Sequence, residues 1–273
     1  MTDACAIIAG AGSFPLHVAQ EARRQGRRVI ALGLQGWVNP ELARHVDEYE
    51  EVAVGQLGRL IDRLKAHQAR QAVMAGKVTK GVLFDPQVQF DPESLLILGQ
   101  AKGFSVNQLL GAIGARLAKD GIELLDSSTF LQDSLCPAGV LTRRRPTPEE
   151  DRDMRAGAEA ARQLAGLDIG QTVVVKHRVI VAVEALEGTD AAIRRAGQLA
   201  GDGLVVVKMA SPAQDRRFDL PVLGPQTVAV AISSGVRCVA VAAQQTVLLD
   251  KPALIARADE ADLSLVGIDL PAA

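Results

Sequence analysis

The sequence predicts an α/β protein with an N-terminal parallel-sheet domain and a distinct C-terminal mixed α/β domain. Three observations predict it. Short apolar runs alternate with helix-like stretches through the first half, the pattern of a parallel sheet with helices on its faces. The first of these runs ends in a glycine turn that opens a helix. After residue 148 the style changes, and β-rich runs follow one another more closely.

The elements follow in order. Residues 4–9 form an apolar strand ending in glycines, residues 14–25 a helix and residues 28–32 a second strand. Residues 52–54 suggest another short strand. Leu57, Leu60, Ile61 and Leu64 fall at i, i+3, i+4 and i+7, which puts them on one helical face. Residues 72–75 read as a buried strand ending at Gly76. Val106, Leu109, Leu110, Ile113 and Leu117 form a second helical stripe, and residues 122–125 a strand. Residues 1–125 thus make the first domain. Residues 126–148, with Pro137, Pro146, Pro148 and the run Arg143, Arg144, Arg145, read as a linker or an extended crossing segment. A helix starts near Pro148, where Glu149, Glu150 and Asp151 put negative charge at its positive dipole end.

Residues 149–273 form the second domain, expected to be catalytic. Residues 172–176 and 178–183 are β-rich runs separated by His177, a tight hairpin. Residues 189–200 are helix-like and residues 204–208 a strongly apolar strand, followed by a polar, proline-flanked stretch from Ser211 to Pro225. Residues 228–233, 238–242 and 246–249 read as further strands, and a helix from Pro252 closes the chain.

Composition narrows the function. At roughly 150 residues per domain, 273 residues give about two domains, and 48% hydrophobic residues supply their cores. Thirty Lys and Arg against 32 Asp and Glu leave a net charge of -2, without the basic excess of a nucleic-acid binder. Aromatics at 3% are too few for a base-stacking platform. Cys5, Cys136 and Cys238 form no CxxC and fit a reducing cytoplasm. The four histidines show no metal-ligand spacing. No basic leader precedes the first apolar run, and no apolar stretch reaches the roughly 18 to 20 residues that span a bilayer. A soluble protein is expected, able to touch a membrane surface.

Four places carry candidate chemistry. At Gly10, Ala11, Gly12 and Ser13 a strand turns into a helix, where glycines let the backbone approach an anion and the helix offers free N–H groups. Pro15 stands where a dinucleotide fingerprint needs its third glycine. Gly76 and Lys77 follow another apolar strand, and the lysine can meet a phosphate or stay solvated. Glu184, Glu187, Thr189 and Asp190 cluster at a strand-to-helix junction where a hard cation could find oxygen ligands, and Thr189 or Asp190 can cap the following helix, a role compatible with ligand binding. Lys208 precedes a loop in which Asp215 and Asp219 flank Arg216 and Arg217. Such a loop can hold a metal, activate water or neutralise phosphate, and can equally be a surface ion-pair loop. The Arg143–Arg145 run is expected to be solvated, and His177 to be exposed.

Five segments in order, IAGAGSFP at 8–15, AGKV at 75–78, LLDSSTFLQD at 124–133, GQTVVVK with VAVEALEGTD at 170–190, and QDRRFDLPVLGP at 214–225, resemble the LpxI family of UDP-2,3-diacylglucosamine pyrophosphatases. The resemblance implies Mg²⁺-dependent hydrolysis of UDP-2,3-diacylglucosamine to UMP and 2,3-diacylglucosamine 1-phosphate, a step of lipid A biosynthesis. It also implies a Rossmann-like N-terminal domain, a homodimer and a cytoplasmic location with transient contact at the inner-membrane surface. For that reaction Asp219 and Asp215 are the expected catalytic residues. Asp219, Asp215, Glu187 and Asp190 are the expected Mg²⁺ ligands. Gly10, Gly12, Ser13, Gly76, Lys77, Lys176, Thr189, Lys208, Gln214 and Arg217 are the expected substrate contacts. Two rivals stay open. One is an NAD(P)-dependent oxidoreductase built on the glycine turn, which Pro15 and the absence of an acidic residue after the second strand oppose. The other is a nucleotide- or lipid-binding protein without turnover.

Overall fold

A computed structural model describes residues 4–78, 81–82, 85–100, 106–211, 215–218 and 220–269. The chain divides into two compact units. The first is Met1–Gln132 together with Asp215–Asp219, and the second is Asp133–Gln214 with Leu220–Ala273.

In the first unit the strands β1 (Ala4–Ala9), β2 (Arg28–Leu34), β3 (Glu48–Val52), β4 (Gln71–Ala75) and β5 (Glu123–Leu124) lie in the order β3-β2-β1-β4-β5, all parallel. The helices α1 (Phe14–Arg24), α2 (Leu57–Ala66), α3 (Pro92–Gln100) and α4 (Val106–Lys119) connect them. β1 and β2 are near-continuous apolar runs because both of their faces are buried. The expected α2 stripe of Leu57, Leu60, Ile61 and Leu64 packs on Ile8, Leu32 and Leu117. The expected strand at 52–54 is instead β3, Glu48–Val52. Its sequence EYEEV is charged because it forms the edge of the sheet, which hides it from a search for apolar runs. Strand order reverses between β1 and β4, so their carboxyl ends form the topological switch point.

The second unit holds a six-stranded sheet in the order β6-β13-β11-β9-β7-β8. Its strands are β6 (Gly139–Val140), β7 (Thr172–Lys176), β8 (Val179–Val183), β9 (Leu204–Lys208), β11 (Val236–Ala242) and β13 (Ser264–Ile268). A separate two-stranded pair joins β10 (Val222–Leu223) to β12 (Val247–Leu248). The helices are α5 (Pro148–Gly166), α6 (Thr189–Ala200), α7 (Pro225–Ser233) and α8 (Lys251–Glu260). β9, β11 and β13 are parallel, whereas β7 runs antiparallel to β9 and to β8. The period of two sorts each strand onto two faces. Val174, Val206, Val239 and Leu265 pack with Ile193, Val228 and Leu254, whereas Val173, Val205, Val207 and Ala240 pack on Met154, Ala158 and Ala161 of α5.

Four expectations change here. Residues 228–233, read as a strand, belong to helix α7. An apolar run of five cannot tell a buried strand from a buried helix, and Pro225 in the first turn is the signal that decides it. The closing helix is followed by a further strand, β13, that pairs with β11. Residues 126–148, read as a linker, bury Phe130, Leu131, Leu135 and Cys136 and supply β6, which pairs with β13. Within the arginine run, Arg144 is not solvated. Its guanidinium lies on Glu150 at 2.7 Å and donates to Ser264 Oγ at 2.7 Å, which fastens the start of α5. At the hairpin tip, His177 and Arg178 take positive φ of 50° and 63°, and the Asp153 carboxylate accepts both of their N–H groups.

Candidate functional site

At the switch point of the first unit, two glycine-bearing turns meet backbone to backbone. Gly10 N–H donates to Ala75 O at 2.8 Å, and Ala11 and Lys77 exchange a pair of bonds at 2.9 Å. A Cβ on Gly10 would lie 2.8 Å from Lys77 O, and one on Gly76 would lie 2.7 Å from the carbonyl carbon of Gly10. These two glycines therefore serve the approach of one turn to the other. Gly12 differs: φ is +93°, it is exposed, and open space surrounds its missing side chain. Ser13 is the exposed N-cap of α1, and its side chain makes no capping bond, so the first N–H groups of α1 are not covered from that side. Lys77 is exposed beside them.

The segment containing Asp215, Arg216, Arg217 and Phe218 joins this unit through the loop after β5. Ser127 N–H donates to Arg216 O at 2.9 Å. The Ser127 hydroxyl lies 2.8 Å from Met74 O on β4 and 2.9 Å from Arg217 O. Arg216 Nε lies 2.8 Å from Asp126 Oδ2, and its Nη2 donates to Ser128 Oγ at 2.9 Å. Phe218 packs against the core of the unit. Two sequence motifs far apart in the chain are thus one structural object, and they lie near the carboxyl end of β4.

Within that segment Asp215 binds Arg217. Nε donates to Oδ1 at 2.9 Å, and Nη2 lies 2.5 Å from Oδ2. The arginine beside it holds the Asp215 carboxyl below the usual carboxylate range. Gln214 and Asp219 lie outside the described residues.

The second unit has its own polar cluster. The alternation of β9 points Lys208 to the face covered by α6 and α7, and the side chain is only 10% exposed. Its ammonium donates to Thr189 Oγ1 at 3.1 Å and lies 3.4 Å from Thr172 Oγ1. Thr172 is there because β7 pairs antiparallel with β9 and sets Thr172 opposite Lys208. Glu184, one residue past β8, accepts from Thr189 Oγ1 at 2.8 Å and places Oε2 3.9 Å from the ammonium. Burial pushes the Glu184 carboxyl up, but Lys208 and the hydroxyls of Thr172 and Thr189 outweigh it and hold the group low. Thr227 in the first turn of α7 donates to Asp190 Oδ1 in the first turn of α6 at 2.8 Å, which brings the two helix N-termini together. A buried ammonium beside two helix N-termini, outside the carboxyl end of a parallel strand, is suited to a phosphate group.

Of the expected substrate residues, Lys208 and Thr189 come together. Lys176 does not join them. It sits at the other end of β7 and donates to Ala200 O at 2.7 Å, capping the last turn of α6. Sequence reasoning left out Thr172 and read Glu184 as part of a cation-binding cluster rather than as a partner of Lys208. The register of β7 against β9 is what brings Thr172 in, and one sequence does not display it. Of the expected Mg²⁺ carboxylates, three are described, and each is engaged by a neighbouring side chain. Asp215 belongs to the first unit, Glu187 and Asp190 to the second. Arg217 occupies Asp215, Arg195 lies 2.7 Å from Glu187, and Thr227 takes an oxygen of Asp190. Among the described residues no three His, Cys, Asp or Glu side chains form a metal-binding group.

A family model of the LpxI N-terminal domain matches residues 4–134, and one of the LpxI C-terminal domain matches residues 137–266. Over 283 residues, 96% of each protein, the chain is 29% identical to the UDP-2,3-diacylglucosamine pyrophosphatase LpxI of Caulobacter vibrioides. Among solved structures it is similar to CobK precorrin-6A reductase, with 12% identity, a TM-score of 0.32 and coverage of 99% of this chain and 89% of that one. It is also similar to biotin carboxylase of Campylobacter jejuni, with 13% identity, a TM-score of 0.28 and coverage of 72% of this chain and 42% of that one. At such TM-scores neither likeness assigns a fold or a function.

Proposed function

Because the chain belongs to the LpxI family, we propose that it hydrolyses the pyrophosphate bond of UDP-2,3-diacylglucosamine in lipid A biosynthesis, releasing UMP and 2,3-diacylglucosamine 1-phosphate. The observation that carries this reading is the pair of family domains, matched in order across nearly the whole chain.

The reaction sets three demands on the residues: neutralise the phosphates, position a nucleophile and limit bulk water. Lys208 and Thr189 hold phosphoryl oxygens at the N-termini of α6 and α7. Gly12, Ser13 and Lys77 offer backbone N–H groups and a charge to an anionic part of the substrate, with Gly10 and Gly76 setting the turns. Arg217 steadies Asp215 and adds charge to the same segment. Asp219 is the proposed catalytic carboxylate, with Asp215 beside it in sequence and Gln214 as a substrate contact. Mg²⁺ belongs to the proposal on the chemistry of the substrate alone, since a hard cation offsets the charge of adjacent phosphates. No helix among the described residues is long and apolar enough to cross a membrane. The proposal places the protein in the cytoplasm as a homodimer that meets its lipid substrate at the inner-membrane surface.

The test is UMP release from UDP-2,3-diacylglucosamine by the purified protein, first with Mg²⁺ and then with excess chelator. Metal-dependent release is expected, and Asp219→Ala lowers kcat by about a hundredfold or more, the scale of losing a major electrostatic group. Substrate binding without UMP release refutes the hydrolase reading. Release that persists in chelator removes Mg²⁺ from it.

A further inference from the structure

The buried cluster around Lys208 contains an asymmetry. The ammonium has three N–H donors, and the hydroxyls of Thr172 and Thr189 take two. Glu184 Oε1 is bonded by Thr189, while Oε2 is buried without a hydrogen-bond partner and stands 3.9 Å from the ammonium. The pair is close enough for strong attraction in a poorly solvated place, yet the carboxylate does not take the third N–H. The side chains are 10% and 12% exposed.

The other charged groups near this end of β9 are engaged elsewhere. Asp190 is bonded by Thr227, and Glu187 lies on Arg195. Helix α7 carries no ionisable residue, and α5 meets β9 on its opposite face through Val205 and Val207. Among the described residues Glu184 is therefore the carboxylate that faces the ammonium.

We propose that Glu184 is the positioning residue of Lys208, setting a counter-charge beside its ammonium and, with Thr172 and Thr189, orienting it so that one N–H is left for a phosphoryl oxygen of the substrate. The inference rests on the reading that Lys208 binds that phosphate. Glu184 touches no reacting atom and acts through the lysine. A neutral amide at this position removes the counter-charge and also offers a competing N–H donor to the same hydroxyls.

The experiment is a double-mutant cycle on kcat/KM for UMP release, using the full chain with folding checked by melting temperature. Lys208→Ala is expected to lose about a hundredfold, the scale of a lost charged contact in the transition state. Glu184→Gln is expected to lose tenfold or more, and Glu184→Asp, which keeps the charge, to recover most of that loss. In the Lys208→Ala background, Glu184→Gln is expected to do no further harm, because a residue that acts through another has nothing left to act on. Wild-type turnover in a folded Glu184→Gln protein overturns the proposal, as does a full additive loss in the Lys208→Ala background. Should Glu184→Gln fail to fold, Glu184→Asp carries the same cycle, with its smaller loss again vanishing beside Lys208→Ala. Wild-type turnover in Lys208→Ala is a different outcome: it removes Lys208 from the phosphate site, and Glu184 with it.

Discussion

Gly12 and Gly76 share a positive φ, +93° and +92°, but not a consequence. An alanine at Gly12 meets open space, so it bears only backbone strain, about 1 kcal/mol. An alanine at Gly76 bears the same strain and also collides with the backbone of Gly10 at 2.7 Å. Gly76→Ala is therefore expected to cost about 2 to 4 kcal/mol and Gly12→Ala about 1. Chemical denaturation of the two variants checks this, and equal losses would mean that the two turns can move apart. Local side-chain chemistry is just as position-bound. Lys176 and Lys208 both end apolar strands, but one caps a helix and the other is buried in a polar cluster. The three thiols are buried, and burial pushes Cys5 and Cys136 up to about 11 and Cys238 to about 12, so none has the profile of a nucleophile.

At the scale of elements, α5 is the one whose start was fully written in sequence. Thr147 and Glu150 form a reciprocal capping box, with Pro148 in the first turn and three acidic residues at the positive end of the dipole. The same Glu150 carboxylate receives Arg144. Thr147→Ala removes the side-chain acceptor of the Glu150 N–H and is expected to cost about 1 kcal/mol, measured as a lower denaturation midpoint with an unchanged slope. A loss near zero would show that Arg144 and Glu150 fix the helix start unaided. Helix α7 is the contrary case. Its run of Val and Ala satisfies a strand as well as a buried helix, and Pro225 in the first turn together with packing on α6, α8 and β11 selects the helix.

At the scale of the whole molecule, the notable event is the route of the chain. It leaves the second unit after β9 and contributes residues 215–218 to the first unit before returning at β10. Ser127 is the pin. Its hydroxyl has one proton and two carbonyls within reach, Met74 O and Arg217 O, while its N–H holds Arg216 O. Ser127→Ala keeps the backbone bond and removes the hydroxyl, with an expected stability loss of about 1 kcal/mol. If this segment carries the catalytic carboxylate, turnover falls several-fold out of proportion to that loss. Kinetics and melting measured on one preparation check it, and wild-type kcat would detach the docking of the segment from catalysis.

The sequence by itself determined the alternation of strands and helices, the glycine turn at the end of β1, the hairpin at His177 and the family resemblance. Each of these is carried by nearby residues, through the period of hydrophobicity, a turn or an ordered motif. Residues 124–133 and 214–225 were legible as motifs, but not as partners, because 80 residues and a change of unit separate them. The tertiary structure alone decided that Thr172 and Glu184 surround Lys208 and that Lys176 lies at the far end of β7. Those facts follow from strand register and from which face of a sheet a helix covers. They are contacts between distant residues, and a single chain of letters does not order its distant residues in space.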